Sequence, residues 1–178
     1  LSEITGFKYV ILTTSGSTAL LMASLAAGIS KDDIVCVPNR TWIATAHAPY
    51  ILGAKILLVD TEYDRPIIDS KLLKKLSHKP KAIYPVSLNG NYANINIIKK
   101  ILPKSVVIED CAQAFLSYKN TKHMGHEADM ACFSLGMAKF LPIGQGGFIG
   151  TNDSHYAKKL SLIRTHGVNS TDDRTPFM

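Results

Sequence analysis

The chain has 178 residues, 46% of them hydrophobic, which is enough apolar material for one substantial core and excludes a disordered or fibrous polypeptide. Its net charge of +6 is carried largely by dispersed lysines: Lys71, Lys74, Lys75, Lys79, Lys81, Lys99, Lys100, Lys104, Lys119, Lys122, Lys158 and Lys159. They lack interleaved aromatics or an arginine-rich stripe, so a solvated face is favoured over a nucleic-acid surface, with attraction of a small anionic substrate left open.

In chain order, YVILTT at 9–14 reads as a buried strand, SG at 15–16 as a turn and 17–27 as a helix rich in Ala and Leu. IVCVP at 34–38 reads as a strand, 41–52 as a helix and KILLVD at 55–60 as a strand. A helix over 68–77, a strand AIYPVS at 82–87 and a helix over 94–102 follow. The remainder gives a strand SVVIED at 105–110, a short helix from Cys111, strands MACFSL at 130–135 and GGFIGT at 146–151, and a helix over 153–164. Continuous apolar strands alternating with amphipathic helices predict an α/β fold, a mostly parallel central sheet with helices on both faces. Ligands of such sheets bind beyond the carboxyl ends of the strands, so the residues there deserve the closest reading.

Cys36, Cys111 and Cys132 are far apart in sequence and form no CxxC pair, so neither a disulfide framework nor a cysteine zinc site is legible, and a reducing cytoplasm fits best. No apolar run approaches the roughly 20 residues of a membrane span, and LSEITGFKYV has no signal-peptide pattern. The sequence begins without methionine and stops at TPFM, residues 175–178, so the expectation is a piece of a longer protein.

TTSGSTAL, residues 13–20, leads from a strand into a helix. The exposed amides of a helix start, the close approach allowed by Gly16 and the hydroxyls of Ser15, Ser17 and Thr18 suit a phosphate, although an ordinary capped turn explains the same residues. No G-x-G-x-x-G or P-loop pattern is present, and GQGG at 144–147 opens a strand. EDCAQA at 109–114 ends an apolar strand in two acids, which could cap a helix or hold a cation. Trp42 is the sole tryptophan, suited to packing or to stacking on a flat ligand. His123 and His126 in HMGH lack a third ligand and make a weak metal signal, so no metal is expected. Ser87 has no G-x-S-x-G context. CFSLGMAKFLPIGQGGFIGTND, 132–153, places Lys139 alone in an apolar, glycine-rich run.

A helix-start anion site, a flat aromatic, a strand-end carboxylate and a lysine in apolar surroundings together meet the needs of pyridoxal 5'-phosphate. The phosphate would sit on the helix start and the ring under the indole, with the acid beside a protonated ring nitrogen and the lysine as Schiff-base former.

At this point the sequence resembles the PLP-dependent nucleotide-sugar aminotransferases, the DegT/DnrJ/StrS group of the aspartate aminotransferase fold type I. TTSGSTALLMASLAAGI, DDIVCVPNRTWIATAHA, LGAKILLVD, KAIYPVSLNGN, VVIEDCAQA, CFSLGMAKFLPIGQGGFIGTND and RTHG carry the resemblance in order along nearly the whole chain. It implies that Lys139 is the catalytic Schiff-base lysine, that Asp110 partners the pyridine nitrogen and that Gln113 lies near the ring hydroxyl. It further implies that Trp42 stacks on the ring and that Gly16, Ser17 and Ser134 contact the phosphate, with Thr18 in the same cofactor-binding turn. The implied reaction is ping-pong: an amino donor, usually glutamate, loads the cofactor, and the amine of Lys139 moves a proton as a nucleotide-linked keto sugar is aminated. Lys139 weighs against the dehydratase branch, in which histidine replaces it.

The resemblance also implies a homodimer with a shared active site and a place in surface-polysaccharide or small-molecule glycan biosynthesis, with neither nucleic acid nor membrane as partner. Residues 1–178 would form the large PLP-binding domain, without an N-terminal segment and a C-terminal small domain that relatives carry. The sequence departs from the pattern at Ser87, where histidine is usual, at Ala128, where glycine is common, and at Ser17-Thr18 in place of Gly-Thr. Asn39, Arg40 and His47 are weak hints of a substrate contact. The alternatives are a non-catalytic remnant that binds a partner or the cofactor, and a regulatory PLP-binding module.

Overall fold

The computed structural model describes residues 1–168; residues 169–178, with the TPFM terminus, lie outside the described residues. A short helix α1 (Ser2–Thr5) precedes strand β1 (Tyr9–Thr13), helix α2 (Gly16–Ala26), strand β2 (Ile34–Pro38), helix α3 (Ala44–Tyr50), strand β3 (Lys55–Val59) and helix α4 (Ser70–Leu73). Strand β4 (Ala82–Ile83), helix α5 (Ile95–Ile101), strand β5 (Val106–Asp110), a small antiparallel pair β6 (Tyr118–Lys119) and β7 (Lys122–His123), strands β8 (Met130–Ser134) and β9 (Gly147–Thr151), and helix α6 (Ser154–Arg164) complete it.

Seven strands form one sheet in the order β1-β9-β8-β5-β4-β2-β3. The pairs β8/β5, β5/β4, β4/β2 and β2/β3 are parallel, and only β9 runs against its neighbours β1 and β8. Strand alternation splits the core between the two faces. Val35 and Val37 of β2, Ala82 of β4, Ile108 of β5, and Met130 and Cys132 of β8 pack with α2, α3 and α6 on one face. The intervening Cys36, Ile83 and Val107 pack with α4 and α5 on the other. Ala131, Phe133 and Phe148 continue that second face with Phe7 and Phe115, where Phe133 and Phe148 stack at 4.4 Å. Burial on both faces makes the strands continuous apolar runs, each fully buried Val, Leu, Ile or Phe side chain contributing roughly 1.5–3 kcal/mol.

Several elements differ from their sequence expectations for local reasons. The strand expected over 82–87 pairs continuously only at Ala82–Ile83; Pro85 has no N–H for a ladder, and pairing resumes as a single bridge between Val86 and Asp110. No helix starts at Cys111: Asp110 Oδ1 accepts from the amide of Ala112, and turns through Ala114 and Ser117 carry the chain away. The helix expected over 41–52 begins only at Ala44, and that expected over 68–77 is one turn capped by Asp69. Neither α1 nor the β6/β7 pair was anticipated; both are too short to show a hydrophobic period.

Candidate active site

A cleft of about 130 Å³ lies beyond the carboxyl ends of β1, β2, β4, β5 and β8. Its walls come from the segments following those strands. Ser15, Gly16 and Ser17 follow β1, Thr41, Trp42 and Ala44 follow β2, and Val86 and Leu88 follow β4. Asp110, Ala112 and Gln113 close β5, while Ser134 ends β8 and Lys139 lies in the connection to β9.

The anion side is built by the start of α2. Ser15 is its N-cap, its Oγ accepting from the Thr18 amide at 3.0 Å, while the Ala19 amide bonds the Ser15 carbonyl. Those two bonds leave the amides of Gly16 and Ser17 as the helix-start donors on the cleft side. Gly16 is required there by crowding: a Cβ on it would lie 2.8 Å from the Ser134 Cβ, so glycine lets α2 close onto the end of β8. Gly147 is constrained likewise, since a Cβ would fall 2.6 Å from the backbone of Ser15.

Asp110 occupies the floor. It is 5% exposed, its Oδ2 accepting from Thr45 Oγ1 at 2.7 Å and its Oδ1 from the Ala112 amide at 3.0 Å. Since Thr45 gives its only hydroxyl proton to Asp110, the 2.8 Å contact between Thr41 and Thr45 has Thr41 as donor. Burial pushes the Asp110 carboxyl above its ordinary range, opposed by the hydrogen bonds of Thr45 and Ala112 and by the positive charge of Lys139. Among the described residues Asp110 has no ion pair, so a cation seated in the cleft would supply the compensation its burial lacks. Trp42 is 73% exposed at the rim, a flat face available for a ring. Gln113 is held through its Oε1, which accepts from the Asn89 amide at 3.1 Å.

Of the eight residues assigned to the cofactor from sequence, seven therefore line one cleft: Gly16, Ser17, Trp42, Asp110, Gln113, Ser134 and Lys139. Thr18 does not. Its hydroxyl turns back to Ser15 Oγ and Thr14 Oγ1, at 2.8 and 3.0 Å, because the cap needs it there, and Ser15 takes its place in the wall. Lys139 is half-buried; the apolar residues beside it in sequence, Met137, Phe140 and Ile143, turn outward instead of enclosing it. Asn39, Arg40 and His47 are absent from the wall, Asn39 being bonded to Asp60. Ser87 is also absent from it: fully buried, it donates to Glu109 on the opposite face of the sheet. His123 and His126 are occupied by backbone groups, His123 between the Leu116 amide and the Met124 carbonyl and His126 against the Thr5 carbonyl. Among the described residues no group of three or more His, Cys, Asp or Glu could hold a metal.

Thr41 and Thr45, which orient Asp110, were missed in the sequence. Their spacing of four residues beside Trp42 was the available signal, two hydroxyls on one helical face.

This geometry can be set beside known proteins. The sequence profile of the DegT/DnrJ/EryC1/StrS aminotransferase family matches residues 1–177. The chain belongs to that family. Among characterised proteins, it is 35% identical over 170 residues to GDP-perosamine synthase of Caulobacter vibrioides, covering 94% of this chain and 46% of that protein. It is 38% identical over 172 residues to UDP-2-acetamido-2-deoxy-3-oxo-D-glucuronate aminotransferase of Pseudomonas aeruginosa, covering 94% and 48%. The chain thus spans about half the length of these relatives. Among solved structures, S. venezuelae DesV in complex with a ketimine intermediate superposes with a TM-score of 0.90 at 28% identity, covering 98% of this chain and 48% of that one.

Proposed function

We propose that this chain is the cofactor-binding part of a PLP-dependent aminotransferase that moves an amino group, from a donor such as glutamate, to a keto sugar attached to a nucleotide. Relatives named as a GDP-perosamine synthase and a UDP-sugar aminotransferase support the substrate class and a role in glycan biosynthesis. The observation that carries the reading is a buried Asp110, without an ion pair among the described residues, facing the same cleft as the amine-bearing Lys139.

The donor set fits the chemical demands of the cofactor's phosphate, ring and aldehyde. The amides of Gly16 and Ser17 and the hydroxyls of Ser17 and Ser134 would bind its phosphate; Thr18 would contribute indirectly, through Ser15. The Asp110 carboxylate would accept a hydrogen bond from the ring nitrogen and be compensated by its charge. Gln113 would orient near the ring hydroxyl, and Trp42 would cover the ring and exclude water from it. Lys139 would act as catalytic nucleophile and then hold or deliver a proton at Nζ. When bound, pyridoxal 5'-phosphate supplies an aldehyde carbon that amines attack and a protonated ring that draws electrons.

We further read residues 1–178 as the large domain of a longer protein acting in the cytoplasm. Three buried, unpaired cysteines support a reducing compartment, and among the described residues no helix is long and apolar enough to cross a membrane. A homodimer with shared active sites is supported by exposed Trp42, Ile43, Met137 and Phe140, apolar side chains at or beside the cleft-lining positions.

The test is to mix the full-length protein with PLP, reduce with borohydride, digest and map the adduct by mass. Selective labelling at Lys139, with transamination lost in Lys139→Ala, is the expected result. A folded protein without selective adduct, or an active Lys139→Ala variant, would sink the reading.

A further inference from the structure

The segment 85–89 touches the cleft at Val86 and Leu88, yet its anchor lies behind the sheet. The Asp110 amide donates to the Pro85 carbonyl at 2.9 Å, and the Asp110 carbonyl accepts from the Ser87 amide at 3.0 Å. Two residues on, Asn89 sits in the left-handed region at φ 54° and ψ 32°, and its amide holds the Gln113 side chain. One short segment therefore grips the main chain of Asp110 and the side chain of Gln113 together. Pro85, Val86 and Leu88 have no polar side-chain atom, so the hydroxyl of Ser87 is the side-chain tether of 85–88. It donates to Glu109 Oε1 at 2.5 Å, where both residues are essentially excluded from solvent, Ser87 at 0% and Glu109 at 1% exposure. Glu109 precedes Asp110 on β5, so strand alternation points one carboxyl into the cleft and the other to the rear face.

We propose that Ser87 and Glu109 are positioning residues for the cofactor: their buried hydrogen bond, on the face of the sheet away from the cleft, fixes the segment that sets Asp110 and Gln113. The proposal rests on the PLP reading above. A serine at 87 then acts through Asp110 and Asn89 without touching the ligand. Removing the hydroxyl frees 85–88 from the rear face, and removing the carboxyl frees it equally, because the two groups serve one contact.

The experiment is a double-mutant cycle in the full-length protein with Ser87→Ala, Glu109→Met and the pair. It is read by the PLP dissociation constant and by amide hydrogen exchange without cofactor. Either single variant is expected to weaken PLP about tenfold and to speed exchange at Ser87 and Asn89 selectively over the core strands, and the pair to be no worse than the poorer single. Ser87→Thr, which keeps the hydroxyl, should restore affinity; it and Glu109→Met provide folded readouts where Ser87→Ala unfolds. Unchanged affinity in a folded Ser87→Ala or Glu109→Met variant, additive losses, or faster exchange spread evenly over the sheet would overturn the proposal. A wild-type protein with no PLP affinity would overturn the parent reading as well, and is told apart by failing before any substitution is made.

Discussion

Asp110 and Glu109 are adjacent carboxyls with different surroundings, and each gives a separate test. Thr45→Ala takes from Asp110 its hydroxyl donor inside a buried site, a loss of roughly 1–3 kcal/mol. The expected readout is PLP affinity lowered by at least tenfold in a titration followed by cofactor absorbance, with Asp110→Asn weaker still. For Glu109, burial raises the carboxyl from an ordinary 4.5 to about 7, against the downward pull of Ser87 and Cys111 and with further upward pressure from Glu127 and Asp110. The raised value means the folded state holds its proton longer than the unfolded chain does. Its stabilising contribution is whole below pH 4.5, falls as pH rises, and is exhausted once pH passes about 7, a swing on the order of 3 kcal/mol. Urea unfolding of the wild type and Glu109→Gln between pH 4.5 and 7.5 should show the wild type losing stability relative to the variant as pH rises, since glutamine stands in for the protonated carboxyl. A pH-independent difference would show that the carboxyl titrates normally.

The elements around the cleft depend on their ends. Replacing Ser15 by alanine removes the N-cap of α2 and the partner of Thr18, at about 1 kcal/mol, and should lower the melting temperature together with phosphate affinity. Gly16→Ala forces a contact with Ser134 and should separate the helix start from β8, so PLP binding should fall more than stability does. Most strands and the larger helices were legible from continuous apolar runs and periodicity, with starts within a residue of the observed caps Asp153 of α6 and Asn94 of α5. The elements that departed from expectation did so where one side chain redirected the backbone. Asp110 turns the chain at Ala112, Thr41 and Thr45 commit the approach to α3, and Pro85 interrupts β4. Averaged propensity misses such single-residue turns and breaks, and it contains nothing of the bond from Thr45 to Asp110, 65 residues on.

At the scale of the whole molecule, the parallel order of the sheet gathers six strand ends on one side, five of them feeding the cleft, and only β9 runs back through it. Apolar side chains remain uncovered around that side, Phe140 at 75% exposure among them. In the full-length protein, Phe140→Asp is expected to shift a dimer toward monomer by sedimentation velocity and to weaken PLP binding. An unchanged dimer would place the interface elsewhere.

By itself the sequence determined the α/β class, through strands apolar on both faces, and it named eight cofactor residues, from hydroxyl, acid, indole and amine near strand ends and from the family resemblance, of which seven line the cleft. Only the tertiary structure decided which way each side chain turned. A hydroxyl at Thr18 and another at Ser87 look equally available in sequence, yet one closes a helix cap and the other is drawn to a buried carboxyl behind the sheet. A buried polar group must find its hydrogen-bond partner, and the partner of Ser87 is 22 residues away along the chain.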